Sequence, residues 1–261
     1  MIQLATPISH LFEDQENARA IAGVSDCLEV RERSLASTLP MQHLFHIDVD
    51  IVHEWGPERE RYLKSAIESK PELKVVSLQA TTCCDAPLLD DKMYELGGRV
   101  YTRDEMLRYA GENIRWLRTF VPEGTLIAVE NNNYYPTAAY DIVTDGDFLT
   151  ELIGQNDIYL LFDIAHAMVT AQNRGIAYSA YVDSLPIDRT VQIHICQPNL
   201  PDEGIAYDTH DSPNEQMTQD VKAIIDQSGK VRYLTIEYYK DKDILVESIN
   251  NLRAQLADWG Y

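Results

Sequence analysis

Leu160-Leu161-Phe162-Asp163 is a short apolar run that stops on a carboxylate, and the second half of the chain repeats the pattern. Leu126-Ile127-Ala128-Val129-Glu130, Val191-Gln192-Ile193-His194 and Leu234-Thr235-Ile236-Glu237 each end the same way, on an acid or an imidazole. Short apolar runs of this kind read as buried strands. A polar ligand at the C-terminal end of each, repeated around one sheet, is how a parallel barrel builds a site at its mouth. Working outward, strand-like runs appear at Ile2 to Ile8, Cys27 to Arg31, His43 to Val49 and Leu73 to Leu78. Thr125 to Glu130, Ile158 to Asp163, Thr190 to Ile195 and Tyr233 to Glu237 bring the strands to eight.

Amphipathic stretches with three-and-four spacing lie between most of these runs: Pro57 to Ser69, Thr102 to Phe120, Asp145 to Ile153, Glu215 to Gln227 and Asp241 to Trp259. Thr102 and Glu105 form a capping-box pattern at the start of the second. Strand alternating with helix eight times predicts an α/β fold, a (β/α)8 TIM barrel, with residues 1–261 as a single domain. Ser34 to Met41 carries no helical pattern, so the second crossover is the weak point of that register. A doubly wound sheet is the competing architecture, but no Gly-rich phosphate turn follows the first strand.

Composition narrows the function. The 261 residues suit one barrel, which needs about 250. A net charge of −20 opposes binding to nucleic acid, whose affinity rests on clustered Lys and Arg. No apolar run reaches the ~20 residues that span a bilayer, and no basic-then-apolar segment opens the chain. The expected location is the cytoplasm, with no membrane partner. The cysteines Cys27, Cys83, Cys84 and Cys196 have no zinc-knuckle or disulfide spacing and read as buried, reduced thiols. No Gly-x-Ser-x-Gly elbow is present. His10, His43 and His53 lack a partner pattern and are expected at the surface or beside helices.

Seven metal-capable side chains remain: Glu130, Asp163, His166, His194, Asp208, His210 and Glu237. Glu130, Asp163, His194 and Glu237 end the fifth to eighth strands and can converge on one divalent ion. Carboxylate and imidazole ligation without thiolate suits iron, manganese or zinc. His166 follows Asp163 by three residues. Asp208-Thr209-His210, expected in the loop after His194, puts two donors on one side of an extended segment, so a second ion could sit beside the first. Asn131, Asn132 and Asn133 could tune such a site or simply form a turn.

The ordered set resembles the ligand series of the xylose-isomerase-like barrels, which include endonuclease IV and the sugar epimerases. From Val129 to Lys242 a closer likeness emerges. Val129-Glu130-Asn131, residues 143–149, Leu160-Leu161-Phe162-Asp163, residues 169–175 and 181–186, Val191-Gln192-Ile193-His194, Asp208-Thr209-His210 and Thr235-Ile236-Glu237-Tyr238 resemble the multinuclear non-heme iron oxidases, the family of the methanobactin-biosynthesis oxidase. That resemblance implies an iron-dependent, O2-using modification of a peptide, often at cysteine, usually with a small partner protein presenting the substrate. It implies that Glu130 bridges two ions, that Asp163, His194 and Glu237 complete the central site, that Asp208 and His210 belong to the neighbouring iron, and that His46 is an early ligand.

Two departures stand out. Gln79, in Ser77-Leu78-Gln79, replaces the family's histidine, and His166 replaces a common asparagine. The expectation is therefore two well-held ions, with the one served by His46 weak or absent. The alternative is a divalent-metal-dependent sugar isomerase or epimerase with Glu130 and Glu237 as acid and base. Phosphodiester hydrolysis fits the ligand series but not the charge.

Overall fold

The computed structural model describes residues 1–90 and 93–261. Its strands in chain order are β1 (Gln3–Pro7), β2 (Cys27–Val30), β3 (Gln42–Asp50), β4 (Val75–Gln79), β5 (Leu88–Asp90), β6 (Met93–Glu95), β7 (Leu126–Glu130), β8 (Tyr159–Asp163), β9 (Thr190–Ile195), β10 (Gln197–Asn199), β11 (Tyr207–Asp211) and β12 (Tyr233–Ile236). β1, β2, β3, β4, β7, β8, β9 and β12 close into a parallel barrel, each paired with its predicted neighbours and β12 returning to β1. These are the eight runs read from the sequence. β5–β6 and β10–β11 are two antiparallel ribbons outside the barrel.

The helices are α1 (Gln15–Val24), α2 (Pro57–Glu68), α3 (Arg103–Leu117), α4 (Gly146–Asn156), α5 (Ile164–Arg174), α6 (Tyr178–Ser184), α7 (Glu215–Ser228) and α8 (Lys242–Trp259). The capping box opens α3: Thr102 accepts from Glu105 N, and Glu105 accepts from Thr102 N at 2.9 Å. Between β2 and β3 the described residues hold only a 3-10 turn, Glu32–Ser34, where no helical pattern was found. α1 and α5 lacked a clear sequence signal for opposite reasons. α1 fully buries only Ile21, whereas α5 buries most of its length and so shows no polar face.

The period of two along a strand explains where the site sits. One residue from each barrel strand — Ala5, Cys27, Leu44, Val75, Ala128, Leu161, Val191 and Tyr233 — forms a separate buried cluster that plugs the barrel. Two residues further along β2, β3, β4, β7, β8 and β12 stand Glu29, His46, Ser77, Glu130, Asp163 and Thr235, all buried. On β9 a register irregularity opposite Leu160 and Leu161 brings His194 level with Asp163 and Thr235, while Gln192 stands beside Leu161 and Tyr233 and reaches up to Glu29. A polar layer is thus stacked directly on an apolar one.

Leu161 is fully buried in the plug. Leu161→Ala should cost about 2–5 kcal/mol through the cavity it leaves. Urea unfolding of the two proteins checks this.

Candidate metal centre

All eight sequence-derived candidates meet at the C-terminal mouth. Glu130, His46, His166, Asp208, His210 and Glu237 line a cavity of about 550 Å3, and Asp163 and His194 are fully buried beside them. His194 is the hub. Its Nδ1 lies 2.9 Å from Glu130, 3.4 Å from Glu237 and 3.8 Å from Asp163. Its Nε2 lies 3.1 Å from Glu29 Oε2. One ring nitrogen is thus engaged by a buried carboxylate while the other faces the shared space, which is how metal-ligating histidines are oriented.

His166 repeats that arrangement with a backbone partner. Its Nδ1–H donates to the Asn131 carbonyl at 2.9 Å, which points Nε2 at Asp163 and Asp208, each 3.8 Å away. Asp163 both caps α5, accepting from His166 N at 2.8 Å through Oδ1, and leaves Oδ2 buried with no hydrogen-bond partner. Asn131 holds Asp163 from both sides of its peptide: its Oδ1 accepts from Asp163 N at 2.8 Å and its Nδ2 donates to Asp163 O at 2.9 Å. Asn131 therefore positions a candidate ligand and does not merely turn the chain.

Asp208 and His210 lie on β11, a ribbon strand where a loop was expected. His210 has φ +46, a left-handed conformation uncommon outside glycine, so the pair does not follow the simple alternation of an extended segment. Its Nε2 nevertheless lies 3.1 Å from Asp208 and 3.3 Å from Glu237. The short ribbon β10–β11 makes this convergence possible by folding residues 207–211 back over the end of β9.

At His46 the geometry is less open to a cation. Nδ1 meets Ser77 Oγ at 2.9 Å, and Nε2 meets Gln79 Nε2 at 2.7 Å and Glu130 at 3.5 Å. Gln79 accepts from Asn132 through its oxygen, so its amide N–H is turned towards the imidazole. A donor occupies the lone pair that a metal would need.

Three participants carry no obvious sequence signal. Glu29 hides inside an apolar strand; Arg31 looks like a strand-ending surface charge. Arg31 contacts Glu29 at 2.6 Å and also pairs with Glu237, bringing a partly buried cation into the cluster. Cys196 lies just past β9, its Sγ 3.4 Å from Asp208 Oδ1. All four cysteines are free and buried, as their spacing suggested. Of the two places expected for His53, the structure gives the one beside a helix: it is buried, bonded to Thr82 O at 2.8 Å, stacked on Tyr101, and its carbonyl accepts from Asn113 of α3 at 2.8 Å.

Burial and neighbouring charge set the protonation states. Burial pushes the Glu29 and Glu130 carboxyls up, but the adjacent Arg31 and histidines outweigh it and hold both well below the usual range. Burial opposes a charge on His194, yet Glu29 and Glu130 raise it to about 9. Burial, reinforced by Glu130 and Asp208, raises Asp163 to about 6. Burial lowers His46 to about 3, and lowers His210 too. Burial and the surrounding carboxylates push the Cys196 thiol well up.

Divalent metal fits this set. The Asp163 oxygen without a partner, and the His194 nitrogen close to Glu130 without hydrogen-bond alignment, are buried donors aimed at one space. Donor atoms fall within 4.8 Å of one another in several overlapping triplets, among them Glu130-Asp163-His166, Cys196-Asp208-His210 and Asp163-Cys196-Glu237.

The fold and site define a xylose-isomerase-like TIM barrel with clusters capable of holding metal. Solved structures agree on the fold: a xylose isomerase-like TIM barrel protein from Mycobacterium smegmatis in complex with magnesium superposes with a TM-score of 0.63 at 11% identity, covering 99% of this chain and 97% of that one. A D-psicose 3-epimerase gives 0.62 at 9% identity, over 98% and 99%. The chain belongs to the RiPP precursor modification enzyme family MbnB/TglH/ChrH, whose profile matches residues 88–256. Among curated proteins, a UPF0276 protein of Acaryochloris marina is 32% identical over 42% of this chain and 39% of its own length. One from Pseudomonas aeruginosa is 28% identical over 59% and 51%. The chain thus matches about two fifths to one half of the length of these relatives. No helix among the described residues is long and apolar enough to cross a membrane.

A cation must displace the proton that His194 holds up to about 9. Metal affinity should therefore rise by about tenfold per pH unit between roughly pH 6.5 and 9. The metal-free protein should change the opposite way: His194 stabilises it fully below its unfolded value near 6.5, and that contribution is lost as pH rises through 9. Isothermal titration with Mn(II) and thermal melts across this range check both signs.

Proposed function

We propose that this protein is a multinuclear non-heme iron-dependent oxidase that modifies a peptide, at cysteine, using O2. The observation that carries the reading is the surplus of donors. Glu130, Asp163, His194 and Glu237 suffice for one ion, yet His166 stands within 4 Å of Asp163, His210 within 4 Å of Glu237, and Asp208 within 4 Å of both His166 and His210. Membership of a family that modifies peptide precursors supports the substrate class. The cavity of about 550 Å3 is in the range that accepts a substrate side chain.

Ferrous ions held here would supply electrons to O2 and an anchoring point for a substrate thiolate. Glu130, with its two oxygens directed to His194 on one side and towards His46 and His166 on the other, would be shared between ions. Glu29 and the Asn131 carbonyl orient His194 and His166, keeping a ring nitrogen of each directed inward. Arg31 offsets the negative charge of Glu29 and Glu237, which limits how strongly Glu237 draws a cation. A small partner protein that presents the peptide belongs to the proposal. Leu88 and Leu89, exposed on β5–β6 beside cavity-lining Pro87 and Tyr94, form an apolar surface such a partner would cover.

The isomerase reading assigns Glu130 and Glu237 to exchange a proton with a sugar at one ion, and gives His166, Asp208 and His210 no task. Metal analysis separates the two: two or more iron ions per chain after anaerobic loading support the oxidase, one manganese or cobalt ion the isomerase.

Glu237→Gln should lower O2 uptake on a cysteine-containing peptide by more than the about 10–100-fold typical of losing an outer partner. Iron content should fall in parallel while circular dichroism stays unchanged; full activity in this variant would defeat the assignment. Gln79→His should replace an amide donor by an imidazole ligand beside His46 and raise the number of ions bound per chain.

A further inference from the structure

Cys196 is the one polarisable donor in the centre, and its position follows from strand geometry. His194, Ile195 and Cys196 are consecutive; Ile195 packs into the apolar layer behind the barrel, so His194 and Cys196 both point to the mouth. The next residue, Gln197, begins the ribbon whose second strand carries Asp208 and His210. The chain therefore turns at Cys196, between the barrel ligands and the ribbon ligands. Its sulfur, with Asp208 and His210, gives a triplet of donor atoms all within 4.8 Å; with Asp163 and Glu237 it gives another. The fully buried Asp163 Oδ2, which has no hydrogen-bond partner, belongs to a member of that second triplet and independently marks a missing ligand there.

We propose that Cys196 ligates the ion held by Asp208 and His210, making that centre a mixed nitrogen, oxygen and sulfur site. Binding breaks the S–H bond, forms a metal–sulfur bond and releases the proton to solvent, with no change of oxidation state. One carboxylate and one thiolate balance the charge of a divalent cation, with neutral His210 as the third donor. A soft ligand from the protein biases this position towards iron, zinc or cobalt over manganese and magnesium. It also occupies a coordination position at this ion before any substrate thiolate arrives.

The inference rests on the metal reading of Asp208 and His210, and cobalt distinguishes the two. The full-length protein is loaded with Co(II) alone under anaerobic conditions, and bound cobalt is counted alongside the absorption spectrum. A near-ultraviolet thiolate-to-cobalt charge-transfer band is expected in the wild type and in Cys83→Ser, and its loss in Cys196→Ser. Cobalt bound without the band, or a band that survives in Cys196→Ser, overturns the ligand role and leaves the metal site standing. No bound cobalt overturns both. A measurement on the unaltered chain guards against a misfolded variant: zinc K-edge X-ray absorption after anaerobic Zn(II) loading should show a sulfur neighbour at about 2.3 Å. A shell of nitrogen and oxygen alone overturns the proposal.

Discussion

Carboxylates crowded into a closed barrel repel one another, and the arrangement at the mouth depends on the positive charge that offsets them. Glu29, Glu130, Asp163, Asp208 and Glu237 are gathered around a single imidazole and its neighbours, in an interior where charge interactions are poorly screened. Without a cation the protein relies on Arg31, on protonated His194 and on the protonated fraction of Asp163. Each is a substitute for what a divalent ion does better, because one ion faces several oxygens at once. Buried like charges persist in a fold only when something compensates them. A divalent cation would compensate them here, and the donor triplets are of the kind that can hold one.

The apolar plug makes this concentration of charge tolerable. Eight side chains seal the barrel one level below, and the parallel strands then fix where the next inward residues must point. This is also why so much was legible in the sequence. A strand that ends Leu-Leu-Phe-Asp announces both its burial and its ligand, so the eight strands and the seven strong candidates could be read directly. Glu29 could not be read this way. It sits one turn of the pleat beyond Cys27 with valine and arginine after it, and nothing local separates a buried second-layer acid from a solvated one. Arg31 and Cys196 escaped for a related reason: their importance comes from partners 206 and 12 residues away. Nor did the pattern of α5 register, because a helix buried on most sides has no amphipathic contrast.

The two sides of the mouth differ in what their donors already bond. At β4, Gln79 presents an amide donor to His46, with Asn132 fixing the direction of that amide. The His46 nitrogen that faces the mouth is thereby engaged by a hydrogen bond. Across the mouth, His166 and the ribbon add imidazoles, and Asp208 and Glu237 both face His210 within 3.3 Å. Asn131 links the two sides, holding Asp163 by its peptide and His166 by its carbonyl oxygen.

The epimerases that share this barrel do so at about a tenth sequence identity, which establishes the backbone and little of the chemistry. In this chain the ribbon of residues 197–211 brings two further donors, Asp208 and His210, to the mouth from outside the strand ends. The ribbon pairs only with itself as a sheet, and its loop is anchored to α5, where Asn173 accepts from Ala206 N at 2.8 Å and donates to Ala206 O at 3.0 Å. The strand-end donors alone form one group, Glu130, Asp163, His194 and Glu237, and the ribbon donors stand beside it against His166 and Glu237, so the number of ions the mouth can hold turns on the ribbon.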